Sequence, residues 1–172
     1  MYSQTAEYAL RAMSCLALHP TELVPTTTLS LQTRVPSNYL AKVLQLLAAE
    51  NLIAGRRGVG GGYKLSRSPE HITLLQVINA VSPVHRIDSC PMGLPNHGPF
   101  LCPLHRKADQ AAAAVIEIFE GVTLADLIND PLSSKPLCDV ESTAKLSVMG
   151  VLVDDAPTSD QPVGDGWAAA AT

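Results

Sequence analysis

Three observations predict a mainly α-helical chain that carries one small β-hairpin. Apolar residues recur at helical spacing in several separate stretches, the one alternating apolar pattern flanks the glycine-rich turn at Gly58 to Gly62, and proline or glycine punctuates the segments between. With 172 residues, 47% of them hydrophobic and 16% charged, there is material for one core of ordinary size plus a tail.

Residues 3 to 18 place Ala6, Leu10, Met13 and Ala17 on one helical stripe, with Glu7 and Arg11 on a neighbouring face. His19-Pro20 ends this first helix, because proline disfavours helical geometry in the residue before it. Residues 26 to 34 are rich in threonine, a weak helix former, yet Leu29 and Leu31 allow a short helix that depends on tertiary packing. Arg34-Val35-Pro36-Ser37 then breaks the chain, and Ser37 is expected to cap a third helix with Leu40, Val43, Leu44 and Leu47 as its buried stripe. On the opposite face Asn38, Lys42 and Gln45 repeat beside Tyr39, all side chains that can reach base edges or phosphates. A solvated helix face has the same pattern, so the segment that follows carries the weight.

That segment reads as a hairpin: Leu52-Ile53-Ala54, the turn Arg56-Arg57-Gly58-Val59-Gly60-Gly61-Gly62, and the returning strand Tyr63-Lys64-Leu65. The turn is not an ATP-binding loop, which needs Gly-Lys-Ser or Gly-Lys-Thr opening a helix. A hairpin directly after two short helices and a polar-faced third is a wing, so residues 1–83 are expected to form a winged helix-turn-helix DNA-binding domain. Arg56 and Arg57 at the wing tip suit a narrow minor groove. Pro69 to Ser82 predicts a fourth helix, with Thr73 as cap and Leu74, Val77, Ile78 and Val81 inward.

The net charge of −4 conceals a division that favours this reading. Residues 1 to 83 carry seven Lys or Arg against four acids, residues 84 to 130 three against six, and residues 131 to 172 two against six. The start of the chain lacks a basic region followed by an apolar run, so no signal or transit peptide, no membrane span and a cytoplasmic location are expected. In that compartment the four cysteines are thiols or metal ligands rather than structural disulfides. Cys15 lies in an apolar helix and reads as packing, and Cys138 as a spare thiol.

Between the fourth helix and the next lies a proline- and glycine-rich loop holding Cys90, His97, Cys102 and His105. This Cys2His2 inventory suits tetrahedral zinc, though its spacing is irregular for a finger. It also suits a 2Fe-2S centre, where imidazoles can replace two thiolates on one iron. A nucleophile–base pair of Cys102 and His105 is weighed against these and set aside, since no oxyanion-stabilising motif accompanies it. Residues 106 to 120 predict a long helix, apolar on more than one face, assigned to the subunit interface of a homodimer on a palindrome. Thr123 caps a last short helix ending near Asn129, and from about Ser133 the pattern fades into an acidic tail expected to be disordered.

Four motifs stand in order: Thr5-Ala6-Glu7-Tyr8-Ala9-Leu10-Arg11, the third-helix run Val35 to Gln45, the wing Arg57-Gly58-Val59-Gly60-Gly61-Gly62-Tyr63-Lys64-Leu65, and the loop end Cys102-Pro103-Leu104-His105. Together they resemble the Rrf-type winged helix-turn-helix regulators, the bacterial group of IscR, NsrR and CymR. The resemblance covers about residues 1 to 131 and implies homodimeric transcription factors, often repressors, many with an iron-sulfur cluster in the loop before the dimerisation helix. It implies a division into the DNA-binding domain 1–83, a sensor loop 84–105, and a dimerisation helix and short helix 106–131, with the acidic tail read from composition as 132–172. Ser37, Asn38, Tyr39, Lys42, Arg56 and Arg57 are the expected DNA contacts. Cluster-binding relatives carry three loop cysteines, whereas here His97 stands in the middle place between Cys90 and Cys102. The fourth ligand matches His105 in some relatives and Glu7, reaching across a dimer, in others. A 2Fe-2S cluster ranks first, a cluster-free regulator controlled by thiol oxidation or a protein partner second, and a zinc-binding variant third.

Overall fold

The computed structural model describes residues 3–93 and 100–131; His97, Cys138 and the tail 132–172 lie outside these. Helices α1 (Gln4–Ala17), α2 (Thr26–Thr33) and α3 (Ser37–Ala49) precede a hairpin of β1 (Ile53–Arg56) and β2 (Gly62–Leu65). A 3-10 turn (Pro69–His71), α4 (Leu74–Val81), α5 (Pro103–Glu120) and α6 (Leu124–Ile128) follow.

Helix α1 is the centre of the core. Ser3 accepts from the Ala6 amide to cap it, and Ala6, Ala9, Ala12, Met13, Cys15 and Leu16 are completely buried. Alanine's small side chain lets neighbours come close, and α1 packs against α2, α3, α4, α6 and β2. Helix α3 adds its predicted stripe Leu40, Val43, Leu44 and Leu47, and α4 adds Leu74, Val77 and Ile78. Val81 is only half-buried.

The turn between α2 and α3 is held by Arg34 in the left-handed region, φ 53°, which reverses the chain and drops Val35 into the core. Leu29 is buried as expected, but Leu31 is 79% exposed, because residues two apart on a helix cannot share a face. Pro36, not Ser37, is the N-cap of α3. Ser37 is the first helical residue, and its hydroxyl lies 3.1 Å from that of Ser30 instead of capping.

The wing pairs antiparallel with Ile53 opposite Leu65 and Arg56 opposite Gly62. Arg56 therefore ends a strand and does not sit in the turn. The hairpin is seated on the body by Val24 and Tyr63, whose amides and carbonyls exchange hydrogen bonds of 2.8 and 2.9 Å. This close approach requires glycine next door, since a Cβ on Gly62 would lie 2.4 Å from the Val24 carbonyl oxygen.

The predicted fourth helix divides in two. Pro69 begins a 3-10 turn, Ile72 is extended, and α4 starts only after Thr73, whose side chain forms a capping box with Gln76. Ile72 and Thr73 are extended because they pair with the far end of the chain: Leu124 N donates to Ile72 O and Leu74 N to Val122 O, both at 2.9 Å. Helix α6 thus packs back on α1 and the 3-10 turn.

Helix α5 begins at Pro103, three residues before the expected start, with Cys102 as its N-cap. Proline at the first helical position loses no hydrogen bond and arrives with a helical φ, so it starts this helix instead of breaking it. None of the 18 residues of α5 is buried. The chain therefore does not bear out an ordinary core helix, the alternative to an interface helix at this place.

Three substitutions check this packing. Leu44→Ala is expected to cost about 3 kcal/mol of unfolding free energy in urea titration, against under about 0.5 kcal/mol for Leu31→Ala. Gly62→Ala is expected to lose about 1–3 kcal/mol by forcing the wing from Val24; an unchanged urea midpoint would show that the seat is not tight.

Candidate functional site

Two groups of polar residues stand out, one on α3 and the wing, the other where the linker meets α5. On α3 the buried stripe faces α1, which leaves Ser37, Asn38, Tyr39, Lys42 and Gln45 exposed in a row. Tyr39 is held edge-on by Tyr8 of α1, with ring centroids 6.3 Å apart and planes at 62°. Tyr8 in turn lies under the Arg11 guanidinium, 5.9 Å from its ring centroid.

The wing arginines have different roles. An Nη of Arg56 donates to the Gly60 carbonyl at 2.8 Å, and Gly61 N donates to Gly58 O at 2.9 Å, so Arg56 braces the turn from within. Gly58 and Gly60 take positive φ of 93° and 69° in that turn. Arg57 is exposed beside it. Both arginines line an open cleft of about 500 Å³ with Thr26, Ala48 and Tyr63. Thr26, at the start of α2, was missed by sequence reasoning because only the Val24–Tyr63 pairing brings it to the wing.

At the second group, Cys102 stands at the N-cap position of α5, with no side-chain capping bond, and His105 lies one turn in, so the two share a face. His105 Nδ1 is 3.3 Å from Cys102 Sγ and 3.9 Å from Cys90 Sγ. Thiols from both ends of the loop therefore meet at one imidazole nitrogen. The three groups converge on that nitrogen and not on a common vacant point. Among the described residues no three His, Cys, Asp or Glu side chains are arranged to hold a metal. His97, the other candidate, lies outside the described residues. Glu7 pairs with Arg11 one turn along α1, and Arg11 also donates to Thr33 O at 3.4 Å. No disulfide joins the described cysteines, and Cys15 is buried with its thiol 2.8 Å from Gln32 Oε1.

A third feature had no local signature at all. Arg86 grips Asp109 of α5 with two hydrogen bonds of 2.7 Å, and the Ile87 amide adds one of 2.9 Å. The partners are 23 residues apart, beyond the reach of any helical or strand periodicity. The Arg86 hydrogen bond, then that of Ile87, and the Arg86 charge hold the Asp109 carboxyl down at about 2.

The profile of the family Rrf2, described as an iron-dependent transcriptional regulator, matches residues 2–130. The chain belongs to the Rrf2 family. The HTH-type transcriptional regulator IscR of Aliivibrio salmonicida is 30% identical over 124 residues, covering 72% of this chain and 74% of that one. Among solved structures, T. potens IscR superposes with TM-score 0.61 at 22% identity, over 76% of this chain and 87% of its own. CymR, the global cysteine regulator of B. subtilis, gives TM-score 0.60 at 22% identity, over 74% and 95%. The winged-helix fold expected from the sequence is therefore that of this Rrf2-family chain, a DNA-binding transcriptional regulator, and the enzyme reading of Cys102 and His105 falls away. Among the described residues no helix is long and apolar enough to cross a membrane.

The Asp109 carboxyl sets a pH expectation. Its folded value is depressed, so the stability it contributes is present above the ordinary carboxylate range, near 4, and is lost as pH falls towards about 2. A side-chain carboxyl NMR titration is expected to give a midpoint near 2 for Asp109. A midpoint near 4 would mean that the Arg86 fork is not formed.

Proposed function

We propose that this regulator binds a palindromic operator as a homodimer and senses redox, iron-sulfur or nitric-oxide status through a 2Fe-2S cluster at the Cys90–Cys102 loop. The observation that carries the sensing half is the meeting of Cys90 and Cys102 at His105 Nδ1, at 3.9 and 3.3 Å. Those three are donors of the kinds that mixed thiolate–imidazole 2Fe-2S centres use. The remaining position falls to His97 or to Glu7 of a second copy. Bound there, the cluster supplies one-electron redox chemistry. The chain's part is to hold two thiols and an imidazole at the start of α5 and to keep the linker against that helix.

The dimer half rests on α5, which buries none of its residues and exposes Leu104 and Ile118 at 71% and 62%. An apolar helix left this open is a surface for a second copy. Two copies would set Asn38, Tyr39 and Lys42 in successive major grooves about 10 base pairs apart. Arg57 would reach the flanking minor groove, with Arg56 bracing the wing behind it. A repressor acting in the cytoplasm is the expected setting.

A cluster-free regulator controlled by thiol oxidation or a partner protein is the second reading. It is favoured by the histidine in place of a third loop cysteine. Zinc held by the same residues is third.

Purification without oxygen, a visible spectrum, and iron, sulfide and zinc assays separate these. Iron with matching sulfide and visible absorption is expected; a colourless, iron-free protein after reconstitution removes the cluster, and zinc without sulfide selects the third reading. Lys42→Ala and Arg57→Ala are each expected to weaken palindrome binding by about 1–3 kcal/mol, measured by fluorescence anisotropy. Binding should also fall with added salt, as phosphate contacts release counterions. Unchanged affinity in both variants would mean that α3 and the wing are not the DNA surface.

A further inference from the structure

We propose that Arg86 and Asp109 are positioning residues for the cysteine–histidine site, holding Cys90 against His105. This rests on the reading of that site as the sensor. One carboxylate, its side chain 15% exposed, accepts three hydrogen bonds from two consecutive linker residues. The bidentate fork of an arginine on a carboxylate fixes orientation as well as distance.

The register ties this clamp to the site. Cys90 lies four residues beyond Arg86 on the linker, and His105 lies four residues before Asp109 on α5. Linker and helix therefore run antiparallel, and one step of four on each leads from the clamp to the thiol–imidazole contact. Residues four apart on a helix share a face and are separated by roughly 6 Å along its axis. Four linker residues cover that rise with chain to spare. Asp109 thus sets where the linker lies along α5, and Cys90 falls at His105.

Upstream, among the described residues, Val84 N donates to Asn79 Oδ1 at 2.9 Å. With Asp109 in place, Cys90 is three residues from its nearest upstream anchor, Ile87; without it, the distance becomes six, back to Val84. Arg86 and Asp109 act through this chain, not on any bound group. They do for Cys90 what outer hydrogen-bond partners do for a metal ligand, which is to fix it before the group arrives.

Dibromobimane, which fluoresces on joining two neighbouring thiols, reads the Cys90–Cys102 approach in the metal-free full-length protein, with Cys138→Ser removing a competing thiol. Wild type is expected to bridge. Asp109→Asn is expected to bridge about 10-fold more slowly, the lower end of what losing an outer partner costs a metal site, with an unchanged far-ultraviolet dichroism spectrum. Arg86→Gln, which removes the other half of the fork, should slow bridging in the same direction. Lys107→Ala, which breaks the Lys107–Gln110 bond on the same helix, should not. Wild-type rates in both clamp variants overturn the proposal, as does a wild type that does not bridge. Iron and sulfide assays after anaerobic reconstitution keep the two ideas apart. A wild type that takes up neither, yet bridges only with the clamp intact, retains the positioning role and discards the cluster. One that loads both while the clamp variants bridge normally does the reverse.

Discussion

The close packing around α1 is the constraint on which the rest of the structure depends. Ala6, Ala9 and Ala12 leave room for α3, α4 and α6 to approach from several sides, while Met13 and Leu16 fill the volume between them. A helix surrounded in this way has only one stripe left for polar residues. On it lie Glu7, Tyr8 and Arg11, and these reach Thr33 at the helix-turn-helix break and Tyr39 at the start of α3. The attitude of α3 is therefore set twice, by the apolar stripe beneath it and by an edge-on aromatic contact at its first turn.

The wing obeys a similar economy. Two backbone hydrogen bonds between Val24 and Tyr63 fasten the hairpin to the body, and Gly62 allows the strands that near. Arg56 spends its guanidinium on the Gly60 carbonyl, inside the turn. The turn then presents Arg57 and the fully exposed Val59 outward. Neighbouring residues of the same type thus differ in what they do, one bracing the loop and one left exposed beside it, and the hairpin register decides between them.

That distinction marks how far the sequence could be read. The stripe Leu40, Val43, Leu44 and Leu47 was legible because burial on one helix face repeats every three or four residues. Thr73 and Thr123 were legible as caps because capping chemistry is local. Ser37 was misjudged by one residue because Pro36 already has the extended backbone of a cap and leaves Ser37 inside the helix. Arg56 depended on register, which a glycine-rich turn leaves open. The start of α5 was hidden by Pro103, which ends helices more often than it begins them unless it falls at the first position. The Arg86–Asp109 fork and the pairing of Thr73 with Thr123 are long-range contacts, and nothing in the spacing of residues along the chain encodes them.

The contacts also say where a signal at the thiols would have to travel. Within one chain, α5 packs on α4, and α4 packs on both α1 and α3. The linker that carries Cys90 leaves α4 through the Asn79–Val84 hydrogen bond and lies on α5 through Asp109. A change at the loop would thus bear on α5 and, through the Asn79–Val84 hydrogen bond and the α4–α5 packing, on α4, whose Val77 is completely buried in the core it shares with α1 and α3. A core packed this tightly does not deform by degrees; it admits separate arrangements or none. Helix α5 differs: none of its residues is buried, and Phe119 packs on the core while still partly exposed. A second copy lying along α5 would cover its open face. The helix bearing His105 would then be fixed on one side by the partner and on the other by α4, the arrangement in which a small shift at the loop moves α4 rather than being absorbed by α5.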